Sequence, residues 1–198
     1  MNLRQIFTAP NQLTLLRMLF LPFIVDSLVD RHYTTALVLF VIAGLSDGLD
    51  GQLARRLHQQ TLLGQYLDPI ADKLLLSTMF LSLSILHKIP WRYTVMVFSR
   101  DISILAASAV LYTIAGLRDF RPSIFGKANT FAQVSAIFFV LLFEVYRVQW
   151  VFVLRTAFLW ATFAFTVISG VHYVFLAQHR MRDLSHGESP AMGKKQIA

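Results

Sequence analysis

The sequence predicts an all-α integral membrane protein, a bundle of about six transmembrane helices with both termini in the cytoplasm. Three observations carry this expectation. Hydrophobic residues make up 56% of the 198 positions and charged residues only 15%, with a mean hydropathy of +0.56, which is less charge than a soluble domain carries. The apolar residues gather into stretches long enough to cross a bilayer, roughly 20 residues each, at about 13–29, 33–56, 68–87, 91–117, 127–147 and 150–178. None of these alternates in polarity every second residue, as a β-barrel strand would. Backbone in lipid must satisfy its own hydrogen bonds, so closely spaced spans of this kind form one helical bundle. No internal repeat is visible.

Taken in order, residues 1–12 set Leu3, Ile6 and Phe7 beside Asn2, Arg4 and Gln5, which suits either a short interfacial helix or a frayed terminus. The first apolar run contains Arg17 and Pro22 and has no Ala-x-Ala site after it, so it is expected to remain in the mature protein. The spans and their loops form one domain over 1–182. The polar stretch 183–198, with glycine and proline, is expected to be disordered. Orientation follows from the basic residues. Arg4, Arg55, Arg56, Arg118, Arg121, Lys127, Arg180, Arg182, Lys194 and Lys195 fall on one side, against Arg31, Lys88, Arg92 and Arg147 on the other. The richer side is cytoplasmic, and Trp91 and Trp150 then lie at the outer interface. The net charge of +7 is scattered among apolar stretches, which fits an anionic lipid surface better than nucleic acid. With no cysteine, neither a disulfide framework nor a thiolate site is available.

Four of the 11 acidic residues crowd between positions 47 and 72. Asp47 and Asp50 are three apart near the cytoplasmic end of the second span and share a helical face that Ala54 continues. Asp68 and Asp72 are four apart at the start of the third. A connection of about a dozen residues makes the two helices antiparallel neighbours, with all four carboxylates at similar depth. Like charges this close need a cation between them. Oxygen donors without cysteine or neighbouring histidine suit Mg²⁺ or Mn²⁺, and two ions are compatible with four carboxylates. Such sites act on phosphates. Gly48, Gly51 and Ala54 remove side chains where a phosphate-bearing ligand would approach the backbone, or else let two helices pack closely. Arg55 is placed to reach a phosphate, and Arg55 and Arg56 also suit cytoplasmic anchors.

The joint pattern Asp47-x2-Asp50-Gly51-x2-Ala54-Arg55-x8-Gly64-x3-Asp68-x3-Asp72 resembles the signature of the CDP-alcohol phosphatidyltransferase family. Pro10-Asn-x-Leu-Thr-x2-Arg17, at the start of the first span, is also similar to the family. The resemblance implies that Asp47, Asp50, Asp68 and Asp72 hold a pair of divalent ions, Mg²⁺ or Mn²⁺. It implies that Gly48, Gly51, Ala54, Arg55 and Gly64 line the site of a CDP-linked lipid, and that Asp72 takes the proton from an attacking alcohol. The implied reaction moves a phosphatidyl group from CDP-diacylglycerol to that alcohol and releases CMP. The implied setting is a bacterial inner membrane or its equivalent, with the site at the cytoplasmic side. A homodimer is the implied assembly, although no residue here demands one.

The acceptor is read from later spans. Arg100 and Asp101, in Ser99-Arg-Asp-Ile-Ser, are either a structural ion pair or a cation offered to an anionic acceptor. Lys127 is either a snorkelling anchor or part of a phosphate pocket with Arg100 and with Arg118 or Arg121. Phosphatidylglycerophosphate synthases, which use glycerol 3-phosphate, usually show Arg-Glu and Gly-Lys-x-Lys-Thr, where this chain has Asp101 and Asn129. Cardiolipin synthases of the CDP-alcohol type look closer, through Ser-Arg-Asp and through Pro122-x3-Gly126-Lys127-x-Asn129-Thr130-x2-Gln133. The acceptor expected is therefore phosphatidylglycerol, bound by Arg100, Lys127 and Asn129 with Arg118 and Arg121, and glycerol 3-phosphate is the alternative. An ion-coupled transporter would spread its acids through the membrane depth and often repeat its helices. A catalytically silent scaffold retaining the pattern is a third reading. Glu144 and Arg147, three apart, are read as a surface pair, and His58, His172 and His179 as solvated, interfacial or hydrogen-bonded residues.

Overall fold

A computed structural model of the chain describes residues 9–57, 62–115 and 124–185, with side chains over 15–46, 70–105 and 126–170. Six helices follow in order: α1 (Ala9–Val29), α2 (Tyr33–Leu57), α3 (Leu62–Ile85), α4 (Trp91–Ala115), α5 (Ile124–Tyr146) and α6 (Gln149–Ser185). No strand occurs among the described residues. Two segments, Gly126–Tyr146 and Gln149–Gly170, are long and apolar enough to cross a bilayer, and Tyr33–Ser46 is a shorter apolar helix. Large apolar side chains cover the exterior, among them Leu19, Phe23, Leu45 and Trp160. In water so continuous an apolar exterior would be a liability.

Helices α1 and α5 begin three or four residues before the apolar runs that mark them, at Ala9 and Ile124, and two borders depart further from the sequence reading. Helix α3 starts at Leu62, not 68, so only residues 58–61 separate it from α2. Helix α6 runs to Ser185, into the stretch expected to be a tail. The remainder of that tail and residues 1–8 lie outside the described residues.

Helix α1 packs against α2 and α3, and α5 packs against the same two. Among the described residues α2 and α3 make at most marginal contact with each other, while the ends that carry Asp47, Asp50 and Asp68, where the sequence expects the two helices to meet, have side chains outside the described residues. Helices α1, α2, α5 and α3 thus close one ring. Helix α4 packs on α3 and α6, and α6 packs on α5, so α3, α4, α6 and α5 close a second. The rings share α3 and α5.

Each helix buries a stripe at three- and four-residue spacing, as helical geometry requires. Ile24 and Leu28 of α1, Ala36, Phe40 and Ala43 of α2, Leu76, Met79, Phe80 and Leu83 of α3, and Ala136, Ile137, Val140 and Leu141 of α5 form the apolar core. Away from that core the stripes turn polar. Arg17 continues the α1 stripe, Arg100 that of α4, Asn129 and Gln133 that of α5, and Thr166 and Ser169 that of α6. Burying so many polar groups costs stability unless they are hydrogen-bonded or serve a ligand.

The opposite end carries the connections 30–32, 86–90 and 147–148. Each holds one non-glycine residue in the left-handed region, Arg31 (φ 60°), His87 (φ 57°) and Arg147 (φ 45°). The first two close Schellman caps. His32 N–H donates to Ser27 C=O at 2.8 Å and Arg31 N–H to Leu28 C=O at 3.1 Å, while Lys88 N–H donates to Leu83 C=O at 2.7 Å and His87 N–H to Ser84 C=O at 3.0 Å. Glu144 does not form the expected surface pair with Arg147. Its side chain is 8% exposed and accepts from Lys88 Nζ at 2.6 Å. Arg155 donates to the Lys88 carbonyl, and Lys88 Nζ stands 4.9 Å from the Tyr33 ring centre. This knot ties α2, α5 and α6 to the α3–α4 connection. The Glu144 hydrogen bond raises the Lys88 pKa above its ordinary 10.5, against the opposing effect of burial.

Candidate functional site

The polar half of the molecule holds the aspartates of α2 and α3 and, across α3 from the side chain of Asp72, a group of charged side chains. Asp47 and Asp50 lie on α2, and Gly64, Asp68 and Asp72 on α3. Counted from the connection, Asp47 and Asp72 are each ten residues into their helices, and Asp50 and Asp68 are seven and six. At about 1.5 Å of rise per residue, the four backbone positions form two levels at matched depth. Of the four, the side chain of Asp72 is described, and it accepts an ion pair from Arg17 of α1. The side chains of Asp47, Asp50, Asp68, Ala54 and Arg55, and the surroundings of Gly48, Gly51 and Gly64, lie outside the described residues. Among the described residues no group of three or more acids and histidines gathers. Two carboxylate pairs at matched levels fit hard, oxygen-seeking divalent ions by donor chemistry.

On the other side, α3, α4 and α5 enclose a cavity of about 710 Å³. That volume is in the range of small-molecule sites. Its charged part is built by Lys73, Arg100, Asp101 and Lys127. Asp101 accepts from Lys73 Nζ at 2.5 Å and from Arg100 Nη1 at 2.8 Å. Arg100 Nη2 reaches Ser169 Oγ of α6 at 3.4 Å. Arg100 is 8% exposed, and its Nε has no hydrogen-bond partner. Lys127 is exposed at the start of α5 and makes no ion pair among the described residues. Three cations thus face one carboxylate, an excess that favours an anion. The ion pair and the cationic pocket, alternatives on sequence alone, coexist in one arrangement.

The structure brings Arg100 and Lys127 to one cavity. Asn129 is placed differently. It is fully buried, its Oδ1 accepts from Thr166 Oγ1 at 3.2 Å, and its Nδ2 has no partner. It ties α5 to α6 behind the cavity and does not line it. Arg118 and Arg121 lie outside the described residues.

Lys73 and Arg17 were not singled out as site residues. Lys73 had one available signal, because a basic residue next to Asp72 sits about 100° round the helix and must face a different neighbour. Arg17 had another, a full charge placed inside an apolar run.

The profile of the family described as CDP-alcohol phosphatidyltransferase matches residues 7–168. A CDP-diacylglycerol--glycerol-3-phosphate 3-phosphatidyltransferase of Bacillus subtilis is 30% identical over 183 residues, covering 84% of this chain and 93% of that protein. A probable phosphatidylglycerophosphate synthase of Mycobacterium tuberculosis is 36% identical over 183 residues, covering 88% of this chain and 82% of its own length. The human cardiolipin synthase (CMP-forming) is 39% identical over 102 residues, which is 51% of this chain and 34% of that protein. The chain therefore spans about a third of the length of that human relative. The profile covers both aspartate pairs and every described side chain of the cavity, and the chain belongs to the CDP-alcohol phosphatidyltransferase family.

Proposed function

We propose that this chain is a multi-pass membrane enzyme that transfers a phosphatidyl group from CDP-diacylglycerol to an alcohol and releases CMP. The observation that carries the reading is the pair of matched aspartate levels on α2 and α3 beside a cationic cavity on the other side of α3. Asp47, Asp50, Asp68 and Asp72 would hold Mg²⁺ or Mn²⁺, two ions for four carboxylates. When bound, such ions neutralise the diphosphate oxygens of the donor. Gly48, Gly51, Ala54, Arg55 and Gly64 are assigned to the CDP-lipid, as the family signature implies.

Within this reading, Asp72 accepts the proton of the acceptor hydroxyl. The hydroxyl oxygen forms a bond to the phosphorus carrying the diacylglycerol, the bond from that phosphorus to the CMP oxygen breaks, and a phosphodiester remains. Arg17 holds one carboxylate oxygen of Asp72 in place. Arg100 and Lys127 receive the acceptor's phosphate, with Lys73 and Asp101 fixing the Arg100 fork. Asn129 acts indirectly, by joining α5 to α6. Arg118 and Arg121 are assigned to the same phosphate from sequence alone. Six spans with cytoplasmic termini, and a site facing the cytoplasm, fit the distribution of basic residues. A homodimer is the assembly implied by the family.

Phosphatidylglycerol is the favoured acceptor, which would make the chain a cardiolipin synthase. The support is the segment Gly126-Lys127-Ala128-Asn129-Thr130, which resembles the cardiolipin synthases of this family, together with the apolar walls of the cavity beside its cations. Glycerol 3-phosphate is the second reading, favoured by the names of the relatives that match over most of their length. The test is an assay of purified protein with CDP-diacylglycerol and Mg²⁺ or Mn²⁺, offering the two acceptors separately and resolving the lipid products. Cardiolipin from phosphatidylglycerol is expected. Conversion of glycerol 3-phosphate alone overturns the acceptor assignment, and absence of CMP release with either overturns the enzyme.

A further inference from the structure

The cavity beside α3 is not a closed pocket. Helices α4 and α5 each pack on α3 and on α6, but no appreciable contact joins them to each other among the described residues. The gap between them is the mouth of the cavity. Its sides are apolar and outward-facing: Ile102 is 62% exposed and Leu105 70% on α4, and Phe131 is 68% exposed and Val134 38% on α5. These four side chains also line the cavity, together with Phe98. An apolar path therefore runs without interruption from the outer surface of the bundle to the cluster of Lys73, Arg100, Asp101 and Lys127.

A small hydrated phosphate ester has no use for such a path, because apolar walls offer its oxygens no hydrogen bonds. An amphipathic anion uses both parts. We infer that the α4–α5 cleft is a lateral port for a diacyl phosphodiester lipid, taken up from the bilayer with its headgroup phosphate at Arg100 and Lys127 and one acyl chain lying between Leu105 and Val134. The inference rests on the proposed function for the identity of the acceptor. The charge balance supports an anionic occupant, since three cations against Asp101 leave a net positive cluster, and the apolar mouth is what favours an anion that carries acyl chains. The buried Arg100 Nε, which lacks a partner, is one donor available to it.

Two measurements test this. In phosphatidylcholine vesicles containing a phosphatidylglycerol with a photoreactive acyl chain, illumination is expected to label 102–105 of α4 and 131–134 of α5. Unlabelled phosphatidylglycerol should suppress that labelling and added phosphatidylcholine should not. In the assay, Leu105→Trp and Val134→Trp, which fill the mouth from exposed positions, are expected to raise the apparent KM for phosphatidylglycerol about tenfold, the equivalent of losing roughly two buried methylenes. The apparent KM for CDP-diacylglycerol should not move. Labelling elsewhere, or equal suppression by phosphatidylcholine, overturns the port, the latter because the cleft then holds any neighbouring lipid. Labelling of these segments replaced by protein–protein crosslinks between two copies overturns it in favour of a dimer contact. A parallel rise in the KM for CDP-diacylglycerol overturns it in favour of the donor's chain. If the unaltered protein releases no CMP, the proposed function fails while the labelling pattern still decides the port.

Discussion

The two ends of this bundle bury charge in opposite ways. At the connection-rich end, Lys88, Glu144, Arg155 and Tyr33 satisfy one another, and Ser84 and Thr94 share a hydrogen bond at 2.5 Å. Toward the aspartate-bearing end, Arg100 Nε, Asn129 Nδ2 and Gln133 Nε2 are buried without partners. A fold that needed only stability would treat both ends alike, since each unmatched buried donor costs about 1–3 kcal/mol. One end is saturated as it stands, and the other keeps unmatched donors, of which Arg100 borders the cavity.

Substitutions should sort along that division. The largest effect is expected from Asp72→Asn, which keeps the shape but removes the base. CMP release should fall by about 10²–10⁴-fold with the helical circular dichroism unchanged, and intact turnover would sink the role given to Asp72. Arg100→Met comes next. Asp101 retains Lys73 as a partner, so the fold should survive while kcat/KM for the acceptor falls about a hundredfold, near 2.7 kcal/mol. A matching rise in the KM for CDP-diacylglycerol would place Arg100 on the donor instead.

Glu144→Gln should do the reverse. It leaves Lys88 without its carboxylate and should lower stability by about 1–3 kcal/mol in a thermal unfolding series, with activity per folded molecule retained. The raised Lys88 pKa fixes the direction with pH. A cation whose folded pKa exceeds its unfolded value contributes fully below the ordinary 10.5 and loses that contribution as pH climbs through the higher folded value. The stability gap between Glu144→Gln and the unaltered protein should therefore close only in strong alkali; a gap that closes near neutrality would assign the effect elsewhere. The smallest effect is expected at His87→Gly. Glycine removes the left-handed penalty of about 1 kcal/mol, so a modest rise in melting temperature is expected, and a fall would show that the His87 side chain contributes more than its backbone costs.

Much of this was legible in the residues. The six helices and the positions of the aspartates follow from apolar run length and from the separations of Asp47, Asp50, Asp68 and Asp72. Ring order is not legible, because the packing of α1 and α5 against both α2 and α3 depends on which buried stripes meet, and periodicity names a stripe without naming its partner. The start of α3 at Leu62 is hidden in the sequence because its first turns hold Gln65 and Asp68 and resemble loop. The helix ends at Arg31 and His87 carry no glycine to mark a left-handed cap. Proximity in sequence points Glu144 to Arg147, but its partner Lys88 lies 56 positions away. Asn129 could be recognised as unusual, yet which of its neighbours it would face depended on α6.

Asp72 and Lys73 are consecutive, yet α3 turns one toward Arg17 and the other toward Asp101. The same helix is thus a partition with a different tenant on each side. Drift at positions 73 and 101 can reshape one compartment while Asp72 on the opposite face keeps its contact with Arg17. Under the proposed function, acceptor range becomes a trait that can diverge on its own while the aspartate positions stay fixed.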